Sequence, residues 1–212
     1  MPAPRTATPR LIDRVVAVVN NRPILESDIR LARLCRLVPG LGQMPPAEAR
    51  SKLVEARVRL EVQYQDLMAS GTIYRLRFDA GPTYRDLLER AGIREPDLHG
   101  RIVAPRGRVE RLLAASGLTL DDVHDLAVRI AAVNAYVTER LRPQVRVTLP
   151  ELRIAYQQIL ALQITARGAA PPPLSQVRSR LRQVVVERKL NSMIAAWTAQ
   201  ARERLDVMVL YP

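Results

Sequence analysis

Few residues in this chain have the type and spacing to do chemistry. His124 follows Asp121 and Asp122, a grouping that could share a proton, but at a helix start it reads as a solvated turn. His99 sits beside Gly100 and reads as a loop residue. Cys35 is the single cysteine and has no histidine near it in sequence, so it reads as a small buried hydrophobe rather than a reactive thiol. A lone cysteine also excludes an internal disulfide and a cysteine-cluster zinc site. Gly40-Leu41-Gly42 lacks the rest of a dinucleotide fingerprint, and no nucleophile elbow or phosphate loop occurs. The expectation is a protein that is not an enzyme and holds no metal or other cofactor. The remaining candidates are amphipathic or flexible: Tyr64, Met68, Tyr136, Tyr156, Met193 and Trp197, all on long helical patterns. Each alone reads as core. Together they are the expected lining of a groove that accepts many sequences, because methionine adapts its shape and tyrosine is amphipathic.

The elements that must position these residues follow from patterning. Leu11 to Val19 is a β-branched run apolar on both faces, and Asn20-Asn21 suits a tight turn into a return strand at Pro23-Ile24-Leu25. Ser27 is placed as the cap of a helix over about 28–37, ended by Pro39-Gly40. Pro45-Pro46 opens a second helix whose apolar positions, from Leu53 to Met68, predict one buried face. Residues 71–118 hold six of the nine glycines. They read as a satellite lobe, with a short strand over 72–78 and short helices near 82–91, 95–103 and 107–115. Thr119 caps a helix running to about Arg142, Thr148 caps another to about Ile164, and Arg167–Pro173 is a linker. A helix from Leu174 to Arg204 and a strand from Leu205 to Tyr211 end the sequence. A two-stranded hairpin is marginal in water, so the last strand is expected to join the first two, with the long last helix packed over them. The fold class is therefore mainly α, with a small antiparallel sheet formed by an N-terminal hairpin and the C-terminal strand. Its expected parts are a flexible arm at 1–10, a helical core of 11–70 and 119–212, and a variable helical lobe at 71–118.

At 212 residues, 48% hydrophobic and 25% charged, the chain has an ordinary globular composition. No apolar run is long enough to span a bilayer. The net charge of +12 comes from 31 Arg and two Lys, spread along the sequence without a basic block. Aromatics are only 4%, which leaves few stacking platforms for single-stranded nucleic acid. Met1–Arg10 contains no apolar leader segment.

Residues 12–29, Ile-Asp-Arg-Val-Val-Ala-Val-Val-Asn-Asn-Arg-Pro-Ile-Leu-Glu-Ser-Asp-Ile, resemble the opening of the SurA family of periplasmic chaperones: a valine-rich strand, Asn, a short strand and a Ser-Asp helix start. Residues 138–156 resemble a later family segment, in which an arginine-rich helix end leads into Val-Thr, an acidic residue and Tyr. The long helix with Trp197 and the final strand resemble the family's C-terminal helix and strand. The likeness covers roughly 11–70 and 119–211. It implies a helical chaperone core containing both chain ends, acting in the periplasm as a non-catalytic holdase for unfolded outer-membrane or secreted polypeptides. Many members also carry parvulin-type prolyl isomerase domains, which would lie between the last two long helices. Only Arg167–Pro173 stands there, and a Gly-Gly-Asp-Leu-Gly-like stretch is absent, so prolyl isomerase activity is not expected. The expected partners are unfolded or partly folded polypeptides and not nucleic acid. Any membrane association would be peripheral, and a homodimer is admissible. The alternatives are a basic helical nucleic-acid-binding protein, suggested by the charge, and a dedicated scaffold in one secretion or assembly pathway.

Overall fold

The β-branched run Val15–Val19 (β1) forms the central strand of a three-stranded sheet. In a computed structural model, which describes residues 13–92, 95–96, 102–103, 106–165 and 173–210, β1 pairs antiparallel with Arg22–Leu25 (β2) on one side and Val207–Val209 (β5) on the other. The strand order β2-β1-β5 is the one expected from the hairpin's need for a third strand. Ala17, Val18 and Val19 face Val209, Met208 and Val207, and the Leu210 N–H donates to the Val16 carbonyl at 2.9 Å. Asn20 makes the β1–β2 turn in the left-handed region, φ +51°. Its backbone N–H donates to the Asp206 carbonyl at 2.6 Å, and its side-chain oxygen accepts the Asp206 N–H at 2.9 Å. The turn that closes the hairpin therefore also fastens the residue that leads into β5.

Backbone contacts divide the chain into two compact units, one of Met1–Val133 with Ala201–Pro212 and one of Asn134–Gln200. Residues 71–118 thus group with both chain ends. In the first unit the sheet residues Val16, Ala17, Val19 and Ile24 are buried against Ile29 and Ala32 of α1 (Glu26–Leu34) and Leu53, Val54, Val58 and Val62 of α2 (Pro46–Ala69). The long C-terminal helix was the expected cover, but only its Ala201 joins this cluster; α2 takes that place. Helix α2 is consequently buried on more than one face. Leu60, Arg57, Glu61 and Gln63 are buried along with its apolar positions, where the spacing predicted a single buried stripe.

Helix α1 begins at Glu26 and not after Ser27. β2 runs straight into it, so Ser27 already lies inside the first turn and not at the cap position. Asp13 Oδ1 accepts the first-turn N–H of Ser27 at 3.3 Å, and Asp28 reaches back to accept the Leu25 N–H at 2.9 Å. Arg36, at φ +47°, turns the chain out of α1 before residue 37. The alternating stretch at 72–78 is not a strand. Gly71 at φ +65° leads into a 3-10 turn at Thr72–Arg75, and of the apolar residues following that turn only Leu76 is buried. α3 (Gly81–Arg90) and α4 (Arg106–Ala115) match expectation. Between them Glu95–Pro96 (β3) pairs antiparallel with Ile102–Val103 (β4) where a helix was expected, and His99 lies outside the described residues. In α5 (Leu120–Tyr136), Thr119 is the cap: its N–H and Oγ1 both lie 2.8 Å from Asp122 Oδ2. α5 gives way to a π-helical stretch, Val137–Leu141, and a 3-10 turn, Arg142–Gln144. Pro143 cannot supply an interior helical N–H, so the helix does not continue in α form to Arg142.

The second unit contains α6 (Leu149–Thr165) and most of α7 (Leu174–Arg204). Leu152 and Ala155 of α6 bury against Leu181 and Val185 of α7, with Val147, Tyr156, Leu174 and Val177 around them. Thr148 caps α6 as predicted, its N–H donating to Glu151 Oε2 at 2.8 Å and its hydroxyl lying 3.0 Å away. The arm at 1–10 and the linker apart from Pro173 lie outside the described residues.

Candidate functional site

The six groove candidates fall in both units, Tyr64 and Met68 in the first and Tyr136, Tyr156, Met193 and Trp197 in the second. Tyr64 is half-buried, with the Arg129 guanidinium 5.1 Å from its ring centroid. Met68, one helical turn on, is exposed. In the second unit Tyr136 and Trp197 do come together, with ring centroids 4.5 Å apart and planes tilted by 43°. Trp197 is only 8% exposed, so this pair packs the interior of its unit. Tyr156 belongs to the cluster around Leu152 and Leu181, and Met193 is half-buried. The structure thus assembles Tyr136 with Trp197 and leaves the others with separate neighbours.

Beside Tyr64 lies an ionic network that residue types alone did not reveal. Glu61 of α2 is 1% exposed. Its Oε2 accepts from Arg129 Nε of α5 at 3.1 Å, and its Oε1 accepts from Gln65 Nε2 at 2.9 Å with Arg22 Nε of β2 at 3.5 Å. Gln65 also donates to the Val19 carbonyl at 3.0 Å and accepts from Asn20 Nδ2 at 2.9 Å. Arg129 reaches back to the Asp125 carboxylate at 3.3 Å. A buried carboxylate needs such partners, because an unpaired one costs several kcal/mol. The network ties hairpin, α2 and α5 together, and its charged groups are occupied with one another. Nearby, Arg57 donates through Nη2 to Asp28 Oδ1 at 2.8 Å, while its Nε and Nη1 are buried with no hydrogen-bond partner among the described residues. A signal that could have found the network is that Arg57 and Glu61 stand one turn apart and next to the apolar positions Val58, Leu60 and Val62 of α2.

The lone thiol matches its sequence reading. Cys35 is buried, and burial pushes its pKa up to about 11 despite the charge of Arg90, so little nucleophilic thiolate forms at neutral pH. His124 is exposed, with the Tyr84 ring edge-on at 6.0 Å. Among the described residues no three His, Cys, Asp or Glu side chains are grouped to hold a metal ion, and no helix is long and apolar enough to cross a membrane.

What the surface does offer is aliphatic and basic. Tyr74, Met208, Val209 and Leu210 of the first unit are exposed, as are Leu149, Ile154 and Val184 of the second. Patterning missed these because it assigns large apolar residues to the core. In the second unit they are interspersed with exposed arginines, Arg153 preceding Ile154 and Arg188 one turn after Val184. Such a surface can bind chain segments by apolar burial and by charge-assisted hydrogen bonds to carboxylates. No family model matches this chain, and no curated protein matches it.

Proposed function

We propose that this chain is a non-catalytic chaperone of the cell envelope that binds unfolded outer-membrane or secreted polypeptides and keeps them from aggregating. The observation that supports the reading most is the sheet β2-β1-β5, in which the first hairpin and the last strand share one layer. That is the closed-end core implied by the resemblance of residues 12–29 to the SurA family. The exposed aliphatic residues of both units fit the same reading, since a holdase works by apolar burial and needs no reacting group. Client binding draws on roughly 25 cal/mol per Å² of apolar surface removed from water, less the cost of ordering the client. The eight residues between α6 and α7 are far short of the roughly 50 that the smallest domains need, so the proposed activity is holding without isomerisation. The periplasm is the proposed compartment.

The test is light scattering from a chemically denatured model protein diluted into buffer with stoichiometric amounts of this chain. Suppressed scattering, with no acceleration of prolyl isomerisation in a tetrapeptide assay, is the expected result. Undiminished scattering at a several-fold excess of this chain overturns the proposal.

A further inference from the structure

The second unit carries ten basic residues against three acidic ones. Two of the three acids are matched inside it: Glu151 with Lys189 at 2.5 Å, and Glu187 with Arg142 at 2.9 Å. Arg140, Arg146, Arg153, Arg178, Arg180 and Arg182 are exposed, and no carboxylate pairs with them among the described residues. They are not scattered at random over the unit. Arg153 follows Leu152, Arg178 follows Val177 and Arg182 follows Leu181, so these three border the apolar cluster that joins α6 to α7. Exposed Ile154 follows Arg153, and exposed Val184 stands one helical turn from Arg180 and from Arg188.

We infer that this arginine-bordered surface of the second unit docks acidic stretches of unfolded polypeptides, and so selects clients in which carboxylates alternate with apolar residues. The inference rests on the chaperone reading and names the client class for it. Charge complementarity sets the sign of the partner. The guanidinium fork matches a carboxylate in two parallel hydrogen bonds, and the neighbouring aliphatic side chains match apolar residues on the same extended segment. A nucleic-acid strand fits less well. Its bases call for exposed aromatic platforms, whereas Trp197 and Tyr136 of this unit pack against each other at a 43° tilt and Trp197 is buried.

The experiment measures fluorescence anisotropy of two labelled probes: reduced, carboxymethylated α-lactalbumin, which is unfolded and acidic, and the same chain with its carboxyls amidated. The intact protein is expected to bind the acidic probe about tenfold more tightly at low salt, the sum of a few exposed guanidinium–carboxylate pairs, and to lose that preference at about 0.5 M salt. The triple variant R153Q/R178Q/R182Q is expected to lose the preference while binding the amidated probe as before, with an unchanged thermal unfolding curve by circular dichroism. Equal affinity for the two probes overturns the inference and leaves the chaperone reading standing. A preference that survives in the triple variant overturns the assignment to this surface. Tighter binding of an oligo(dT) strand than of the acidic probe overturns it in favour of nucleic acid. Binding of neither polypeptide overturns the chaperone reading and the inference with it.

Discussion

The two units use charge in opposite ways. In the first, carboxylates and guanidiniums are spent on each other: Glu61 with Arg129 and Arg22, Asp28 with Arg57, Glu26 with Arg50, Asp66 with Arg204. Several of these groups are buried, and they join elements far apart in sequence. In the second, two acids are paired near the α6–α7 contact, and most of the described arginines face solvent without a carboxylate partner among the described residues. Ion pairs that bridge elements over a core make a unit rigid and specific in its packing. Unmatched cations on a small apolar seam contribute little to folding and remain available to a partner. Arginines such as Arg33, Arg59, Arg75 and Arg85 are exposed in the first unit too. What distinguishes that unit is that Arg57 and Arg129 are buried against carboxylates, whereas the described arginines of the second unit are all exposed.

This contrast is sharpest in the effect of removing one arginine from each unit. Arg129→Met leaves Glu61 buried with only the half-exposed Arg22 as counter-charge, and is expected to destabilise the protein by roughly 3–5 kcal/mol in urea unfolding. Arg182→Gln is expected to change stability by less than about 0.5 kcal/mol. Comparable losses from both would dissolve the contrast. Asn20→Ala removes the side-chain bonds to Asp206 and Gln65 and places alanine at φ +51°, and should cost about 2 kcal/mol.

A smaller effect, confined to the second unit, concerns pH. The Lys189 ammonium and the Thr148 cap bonds hold the Glu151 carboxyl down to about 2, against an ordinary 4.5. Because the folded value is the lower one, the stabilisation from this carboxylate is complete above about 4.5 and is lost as pH falls through about 2. Trp197 is the sole tryptophan and lies in this unit, so its fluorescence during urea unfolding reports that loss. Glu151→Gln should flatten the pH dependence over that interval. Tyr136→Leu, which removes the ring beside Trp197, is expected to cost about 1 kcal/mol and should visibly change the emission of that tryptophan.

Much of the fold was legible from residues whose local preference agrees with their final setting. A two-stranded hairpin is marginal by itself, so the hairpin calls for a third strand, and β5 supplies it at the free edge of β1. Thr119 and Thr148 cap helices because an acidic residue stands three positions on, at Asp122 and Glu151. Pro46 starts α2 because a missing N–H does no harm there. The misreadings have equally local causes. The alternation at 72–78 had no neighbouring strand to pair with, and periodicity cannot report a missing partner. Charged positions 57 and 61 looked like the solvent side of α2 because their counter-ions come from other elements: Arg129 lies 68 positions beyond Glu61. For the proposed site, residue type suggested tyrosine, methionine and tryptophan, but these residues have separate neighbours apart from Tyr136 and Trp197. The surface that stands out is made of arginine and aliphatic side chains, and their exposure is decided by packing that spacing does not encode.

The fastening of Asn20 to Asp206, 186 positions apart, has a consequence for biogenesis. A ribosome delivers Asp206 186 residues after Asn20, so the nascent hairpin waits with one hydrogen-bonding edge of β1 unfilled while the intervening chain is made. Closing so long a loop adds little equilibrium penalty, since that penalty grows only logarithmically with length, but it delays the final step. Chains cut short before Val207 cannot complete the sheet. They would display the bare edge of β1, a mark by which quality-control proteases could tell aborted products from finished ones.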